Sequence, residues 1–405
     1  MVIPKRVLGD EEISDKGRKS LTILDTIRKR GPLARTDVSK VTGINIVTVS
    51  NYIDGYIRTG LVVQRGLDTS TGGRRPLLVE LNHQAGYIVG VGMNIAEVVI
   101  LVTDMTNKVL YKLKKKRPLE SGEKLLNYLM DATDEAIRSS GIDPAKIKGV
   151  GVGMPGIVDK ELCTVHWPKG LLSGDLSVSV SVSDLFMKRF NIPTIVDNDA
   201  NVAIFGEKWL TLEPTIKNLV YLYSGVGCGI MIDGKIYRGA NGCAGEFLLS
   251  GDVDYVSWMK QSYDTRVWGI DLGLTLEAKK IVKDNPHSLI SKLVGGDAEK
   301  VDFFVVAKAA KERDPLILDA IEKSTHDLAG KISLLVNLLN PEIVIVGGGI
   351  EELGTYFLES IKKKVKAIAI EEATRRLKII PARLGEESVA LGAAALVVQH
   401  LFIEA

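Results

Sequence analysis

The chain of 405 residues holds only three cysteines, Cys163, Cys228 and Cys243, with no C-x-C or C-x-x-C among them. That spacing argues against a disulfide framework and against a cysteine-rich zinc site. The five histidines are scattered, and none forms an H-x-x-x-H pair. No metal and no other cofactor is expected. Long apolar runs are missing too, because Gly, Asn and charged residues interrupt each candidate before membrane-spanning length. The N-terminal stretch MVIPKRVLGDEE lacks the apolar core of a signal peptide. Cytoplasmic residence, with no membrane partner, is the default expectation.

Hydrophobic residues at 45% and charged residues at 25% describe an ordinary globular chain of two or three domains. The net charge of +2 is unevenly spread. Residues 1–83 carry 14 Lys and Arg against 9 Asp and Glu, a net +5, whereas the remainder carries 38 against 41, a net −3. A basic head on a mildly acidic body points to nucleic-acid contact by the head.

Apolar residues at helical spacing predict a helix from Lys16 to Arg30, ended by Gly31-Pro32, and a short one over Thr36–Val41. A third helix begins after Asn45, a good capping side chain, and runs to about Arg58. Val49, Ile53 and Ile57 are expected to face the core, which turns Val47, Thr48 and Asn51 outward. This is the helix-turn-helix plan, and Thr48 and Asn51 are long enough to reach base edges. LVVQRG and PLLVEL read as the strands of a β-hairpin wing. Its Gly72-Gly73-Arg74-Arg75-Pro76 is flexible, cationic and slim enough for a minor groove. The expected set facing double-stranded DNA is Asn45, Val47, Thr48, Ser50, Asn51, Arg58, Arg74 and Arg75.

GPLARTDVSKVTGINIVTVSNYIDGYIRTGLV and TGGRRPLLVELN, within residues 17–83, resemble the winged-helix head of ROK-family transcriptional regulators. One departure is Ala34, where the family has a capping Ser; Thr36 is expected to cap instead. From Tyr87 onward strands and helices alternate, including strands at YIVGVGM, EVVILVTD, VLYKLKK, KGVGVGMPG and PTIVDND. NLVYLYSG and GIMIDGKIYRG read as a hairpin turned at Asp233-Gly234. Helices are expected over Gly122–Ser140, 275–284, 301–313, 315–338, 354–369 and Val389–Leu401, with further strands at EIVIVGGG and LKIIPAR. The body resembles ROK proteins through VGVGMPGIVD, IVDNDANVAIFGE, GVGCGIMIDGKIYRGANGCAGE, LVNLLNPEIVIVGGGI and ARLGEESVALGAAAL. The resemblance implies an α/β fold: a winged helix-turn-helix over 1–83 and a two-lobed actin-like, ribonuclease-H-like body. The first lobe would span 84–197 and 382–405, and the second 198–381.

The family's kinases carry V-G-V-D-L-G-G-T on the first body strand, whose acid helps hold the metal and whose turn approaches phosphate. Here that stretch reads Val89-Gly90-Val91-Gly92-Met93-Asn94-Ile95-Ala96. With the acid, the glycines and the hydroxyl gone, nothing presents a phosphoryl group, so no kinase activity and no catalytic residue is expected. What the resemblance leaves is a sugar site. Asn198, Asp199 and Glu246 would hydrogen-bond ligand hydroxyls above the loop ending at Gly156. The family's G-E-x-G-H becomes Gly245-Glu246-Phe247-Leu248-Leu249, and VDYVSWMKQSYDTRVWG lacks the zinc-binding cysteines. The pocket is thus expected to be more apolar, lined by Phe247, Trp258 or Trp268, with His166-Trp167 either reaching the cleft or forming a packed surface pair. The function implied is a DNA-binding regulator of carbohydrate or polyol genes, a repressor released by a small polyhydroxylated effector and acting as a homodimer or homotetramer. A ligand-free body and a sugar kinase with an appended head are the rival readings.

Overall fold

Three helices build the head: α1 (Asp15–Arg30), α2 (Arg35–Thr42) and α3 (Ile46–Arg58). The computed structural model describes residues 13–67, 77–94, 97–118, 122–159, 164–167, 177–223, 227–246 and 273–405. Strands β1 (Leu33–Ala34), β2 (Val62–Leu67) and β3 (Leu77–Leu81) form a small sheet in the order β1-β3-β2. The Gly-Gly-Arg-Arg tip expected between β2 and β3 lies outside the described residues.

Two expectations for the head are corrected. No side chain caps α2. Ala34 occupies the cap position without a side-chain hydrogen bond, and Thr36 lies inside the first turn, beyond the cap. Ala34 has no side-chain acceptor to offer, and it is buried and paired with Leu78 of β3. On α3 the buried residues are Val49, Ile53 and Tyr56, and Ile57 is half-buried. At about 100° per residue, i+7 falls about 20° from the starting position and i+8 about 80° away, so Tyr56 holds the inner face.

In the body, β4 (Tyr87–Met93), β5 (Glu97–Asp104) and β6 (Val109–Lys116) form an antiparallel meander. β7 (Ile147–Met154) and β11 (Thr194–Asn198) join it in parallel, giving the order β11-β7-β4-β5-β6. The second sheet repeats this plan. β12 (Leu219–Tyr223), β13 (Gly227–Ile232) and β14 (Lys235–Ile236) are antiparallel, and β15 (Ile343–Val346) and β16 (Lys378–Pro381) follow in parallel. Asp233 and Gly234 both take positive φ, 52° and 79°, as the tight β13–β14 turn requires. α4 (Glu123–Ser139) packs on the first sheet. The sequence reading missed a small sheet, β8 (Ile157–Asp159), β9 (Thr164–Trp167) and β10 (Val178–Val180), and the helix α5 (Val182–Phe190).

Helix α6 (Asp199–Thr211) follows β11 at once. In the second lobe come α7 (Leu274–Asp284), α8 (Leu289–Leu293), α9 (Phe303–Lys311), α10 (Pro315–Leu339), α11 (Thr355–Ile368) and α12 (Glu371–Thr374). The long helices α10 and α11 share one apolar cluster with Val220, Val344 and Ile379 of the second sheet. α6 shares another with Tyr221, Ile343 and Ile345, on the opposite face. The last helix, α13 (Ser388–Glu404), is apolar nearly all round. By length and composition Gly385–Glu404 could cross a membrane, which corrects the expectation that no run is long enough. The fold uses it as a core helix, buried along most of its length between α6 and the first sheet.

Glycines let α13 in. Gly90 pairs with Gly151 and Gly92 with Gly153 across β4 and β7. A Cβ on Gly90 would overlap the Ala390 carbonyl, and one on Gly151 the Ala393 carbonyl. Gly392 of α13 lies against the Val202 carbonyl of α6, while a Cβ on Gly206 would sit 2.8 Å from Gly392 Cα. Gly392→Ala is therefore expected to destabilise the protein by about 3 kcal/mol, since backbone must move on both helices. Gly330→Ala on α10 meets nothing within 4 Å and should be neutral or stabilising by up to about 1 kcal/mol. Urea unfolding of the two variants separates these effects; equal stability would show that the helix crossing has slack.

Candidate functional site

The candidate DNA face follows from how α3 is held. Asn45 caps it, its Oδ1 accepting the Val47 N–H at 2.8 Å, so its side chain serves the helix start. Val47 is 64% exposed, Asn51 and Arg58 are exposed, and Thr48 and Ser50 are half-buried. Val47, Thr48 and Asn51 gather near the amino end, whereas Arg58 sits in the last turn, about 15 Å further along. The sequence reading overlooked Arg35 of α2, whose guanidinium pairs with Asp54 at 2.6 Å and reaches the Ser50 carbonyl. That pair lowers the Asp54 carboxyl below its usual range and ties α2 to α3. Arg74 and Arg75 lie outside the described residues.

The second candidate site lies where β11 meets α6. Asn198 ends the strand and caps the helix: its Oδ1 accepts the N–H of Ala200 (2.9 Å) and Asn201 (3.3 Å). Its Nδ2 donates to the Gly156 carbonyl at 3.0 Å, which fixes the Pro155–Gly156 turn beside α6. Gly156 has φ +133° and rests on Trp167, whose indole N–H donates to the Pro155 carbonyl. Trp167 is fully buried, while its neighbour His166 is half-buried and bonded to Ser179 Oγ at 2.9 Å.

Asp199 opens α6 and is half-buried. Its Oδ1 accepts the Ala200 N–H at 2.9 Å. Burial pushes its carboxyl up to about 7, and the nearby Glu246 carboxylate adds to the rise. Glu246 bridges to Gly227 on β13, and Gly227 in turn faces Ala200. The turn before Glu246 is pressed onto β13: the Cys228 N–H donates to the Gly245 carbonyl at 3.0 Å. Desolvation raises the Glu246 carboxyl as well. Asp199 and Glu246 thus approach from the two sheets as a pair of hydrogen-bond acceptors. Phe247, Leu249, Trp258 and Trp268 lie outside the described residues.

Beneath this pair runs an ion pair that the sequence reading did not single out. Asp197 on β11 meets Arg238, from the segment after β14, at 2.5 Å, with side-chain exposures of 2% and 11%. Asp197 Oδ1 also accepts the Asn198 N–H at 2.8 Å and the Asn201 amide at 3.3 Å. The only signal was the first Asp of Asp-Asn-Asp, which looked redundant beside Asp199.

Gly92 stands on β4 at the position where the family's kinases are expected to carry the metal-holding acid. A Cβ on Gly92 would lie 2.7 Å from the Ala390 backbone nitrogen, so an acid has no room unless α13 moves. Asn94 Oδ1 accepts the Glu97 N–H at 2.7 Å.

The far end of α6 carries the head. Arg28 of α1 lies 4.6 Å over the Trp209 ring and donates to the Trp209 carbonyl at 3.0 Å. Trp209 stacks on Phe205 and tilts against Phe402 of α13. Ser20 of α1 donates to the Phe402 carbonyl at 2.6 Å and receives the Tyr56 hydroxyl at 2.7 Å.

Comparison with known proteins agrees with this layout. The model of the ROK family matches residues 88–247 and 288–400. A xylose repressor of Caldicellulosiruptor bescii is 30% identical over 387 residues, covering 94% of this chain and 95% of its own length. A crystal structure of a ROK-family transcriptional regulator, a homolog of the Escherichia coli MLC protein, superposes with TM-score 0.74 at 19% identity, covering 96% of this chain and 97% of that one. A ROK glucokinase from Streptomyces griseus, solved with glucose and AMPPNP, has TM-score 0.64 at 25% identity, with 77% of this chain and 99% of the kinase covered. The kinase is thus matched almost whole by three-quarters of this chain, whereas the regulator matches nearly all of it.

Asp199 yields a prediction about pH. Its folded-state carboxyl titrates near 7, above the ordinary 3.8, so the native state holds a proton that the unfolded chain releases. Stability should therefore fall as pH rises from about 4 to about 7. Allowing for its partial solvent contact, wild type should lose about 1–2 kcal/mol more than Asp199→Asn between pH 5 and pH 8. Parallel stability curves in urea at the two pH values would show that Asp199 is not desolvated.

Proposed function

Because this chain belongs to the ROK family and is a sugar-responsive, DNA-binding transcriptional repressor, we propose that its effector binds between the lobes, at Asp199 and Glu246. The observation that carries this reading is α6 itself. One helix of about 20 Å has the acceptor pair at its first residue and the head's Arg28 contact at Trp209. A polyhydroxylated ligand donates hydroxyls to the two carboxylates and draws the lobes together about the Asp197–Arg238 pair. Asn198 and Gly156 hold the floor of that site. D-xylose is the first effector to test, given the name of the relative that spans 94% of the chain. The protein acts in the cytoplasm, on a double-stranded operator.

In the head, Val47, Thr48 and Asn51 meet base edges, with Ser50 beside them; Asn45 sets the helix start, and Arg58, Arg74 and Arg75 add phosphate or minor-groove contacts. Two heads cover two half-sites, so the working form is at least a dimer. Leu334 and Leu338 of α10, with Ile368 and Ile370 after α11, expose the apolar surface for such pairing.

An operator titration with and without xylose tests the reading on four proteins. Wild type should be released from DNA by the sugar, and a 100-fold preference for the closed cleft supplies about 2.7 kcal/mol for that release. Asp199→Asn should bind operator normally but resist release. Arg28→Ala should keep its sugar affinity yet transmit less of it to DNA. Asn51→Ala should lose about 1–3 kcal/mol for the preferred base alone. Equal release of wild type and Asp199→Asn would move the effector elsewhere, and one chain per operator would remove the dimer.

Phosphoryl transfer is not part of this reading, since α13 fills the place of the kinase acid at Gly92. With ATP and either xylose or glucose, ADP release should stay at the enzyme-free background. Sugar-dependent turnover in the purified protein would restore the kinase reading.

A further inference from the structure

Helix α3 and the turn before it leave apolar side chains in water. Among the described residues of the head, Val41 is 45% exposed, Ile46 38% and Val47 64%. All three lie within seven positions around the α2–α3 turn. The core face of α3 is complete without them, since Val49, Ile53 and Tyr56 are buried. Single exposed apolar residues are ordinary, but aliphatic side chains gathered at one turn mark a contact surface. Folding gives no reason for Val47 in particular, because a β-branched residue slightly lowers helix propensity.

The neighbours of Val47 on the same helix face indicate the chemistry it meets. Asn51 stands one turn further on, about 6 Å along the axis, and Asp54 and Arg58 follow at helical spacing. Asp54 is the only acid on α3, and its charge would repel a phosphate backbone. The Arg35 guanidinium pairs with it at 2.6 Å and offsets that charge. The amino half of the face then offers an aliphatic group beside a carboxamide. In a major groove the apolar feature of a base edge is the C5 methyl of thymine. A carboxamide fits the N6–N7 edge of adenine with two hydrogen bonds.

We propose that Val47 reads the methyl group of one thymine in each operator half-site, while Asn51 takes a nearby adenine. This contact rests on the reading of α3 as the DNA-facing helix. The γ-methyl groups of Val47 close over the C5 methyl and remove both from water. Cytosine in the same place has no methyl and presents its N4 amino group, which Val47 desolvates without offering an acceptor. Selectivity at this base therefore comes from burial and from a penalty on the wrong base. It is insensitive to salt, unlike the phosphate contacts.

An operator selected from random-sequence duplexes with the full-length protein supplies the probe. Each thymine is replaced in turn by deoxyuridine, which removes the methyl alone, and affinity is read by fluorescence anisotropy. One thymine per half-site should show about a fourfold loss in wild type, the worth of one buried methyl-sized group. Val47→Ala should bind the thymine operator more weakly, lose most of the response to uracil at that position alone, and unfold at the wild-type temperature. Asn51→Ala should keep the uracil response while losing its preference for adenine. Two results overturn the methyl contact even when Asn51→Ala relaxes base preference: wild type tolerates uracil at every position, or wild type and Val47→Ala lose equally. If Val47→Ala and Asn51→Ala both leave affinity and base preference unchanged, α3 is not the reading helix. The head's part of the proposed function then falls together with the methyl contact.

Discussion

Helix α13 can lie directly on the first sheet only because glycines alternate on β4 and β7 and pair with each other across the two strands. Together they make a trough without side chains, into which the Ala-rich stretch of α13 settles. Gly392 and Gly206 then allow α6 to cross α13 at backbone contact. Packing this close forfeits side-chain burial at each glycine but brings four elements into direct backbone contact. The two sheets, the candidate effector site and the head all attach to this crossing. β11 leads into α6, Glu207 of α6 holds the chain leading from β16 to α13, and α1 rests on the carboxyl ends of both helices.

The same trough bears on the proposal that this chain transfers no phosphoryl group. The position of the family's metal-holding acid is Gly92, and the volume that an acid would need is taken by Ala390. A single reversion would have to displace a core helix. At the next turn, Asn94 uses its amide oxygen on the Glu97 N–H, an internal partner where a kinase would offer donors to phosphate. Around Gly92 the space is filled with packed helix.

Much of this was legible in the sequence, because it rests on local chemistry. YIVGVGM read as a strand, Asn45 marked the start of α3, and Asp233-Gly234 marked a hairpin. The misreadings involve choices made by tertiary context. Thr36 does not cap α2 because the helix already starts at Arg35, and Tyr56 takes the inner face that Ile57 was expected to hold, its hydroxyl bonded to Ser20. The strands β8–β10 are three or four residues long and carry too little pattern to be read alone. The run in α13 reads the same whether a membrane or two packed layers surround it. Arg238 and Asp197 lie 41 positions apart, and only the folded chain brings them together.

Helix α6 carries buried or half-buried acids at both ends, and their hydrogen bonds tell their roles apart. Glu207 accepts from the Arg383 and Leu384 N–H groups and from the Thr211 hydroxyl. Burial raises its carboxyl, but these donors oppose the rise, so it serves as a satisfied structural clasp. Asp199 sits where the helix amino end favours negative charge, and its carboxyl accepts from the Ala200 N–H and from its own backbone N–H. Glu246 faces it with the same sign and raises it further. An acid held near a second acid with so few donors destabilises the empty protein, and folding alone gives no reason to keep it. Hydroxyl donors from a bound ligand would supply what the protein withholds. The ligand would then stabilise the arrangement of α6 that brings Asp199 and Glu246 together, and through Trp209 the head would be held in the position that goes with it.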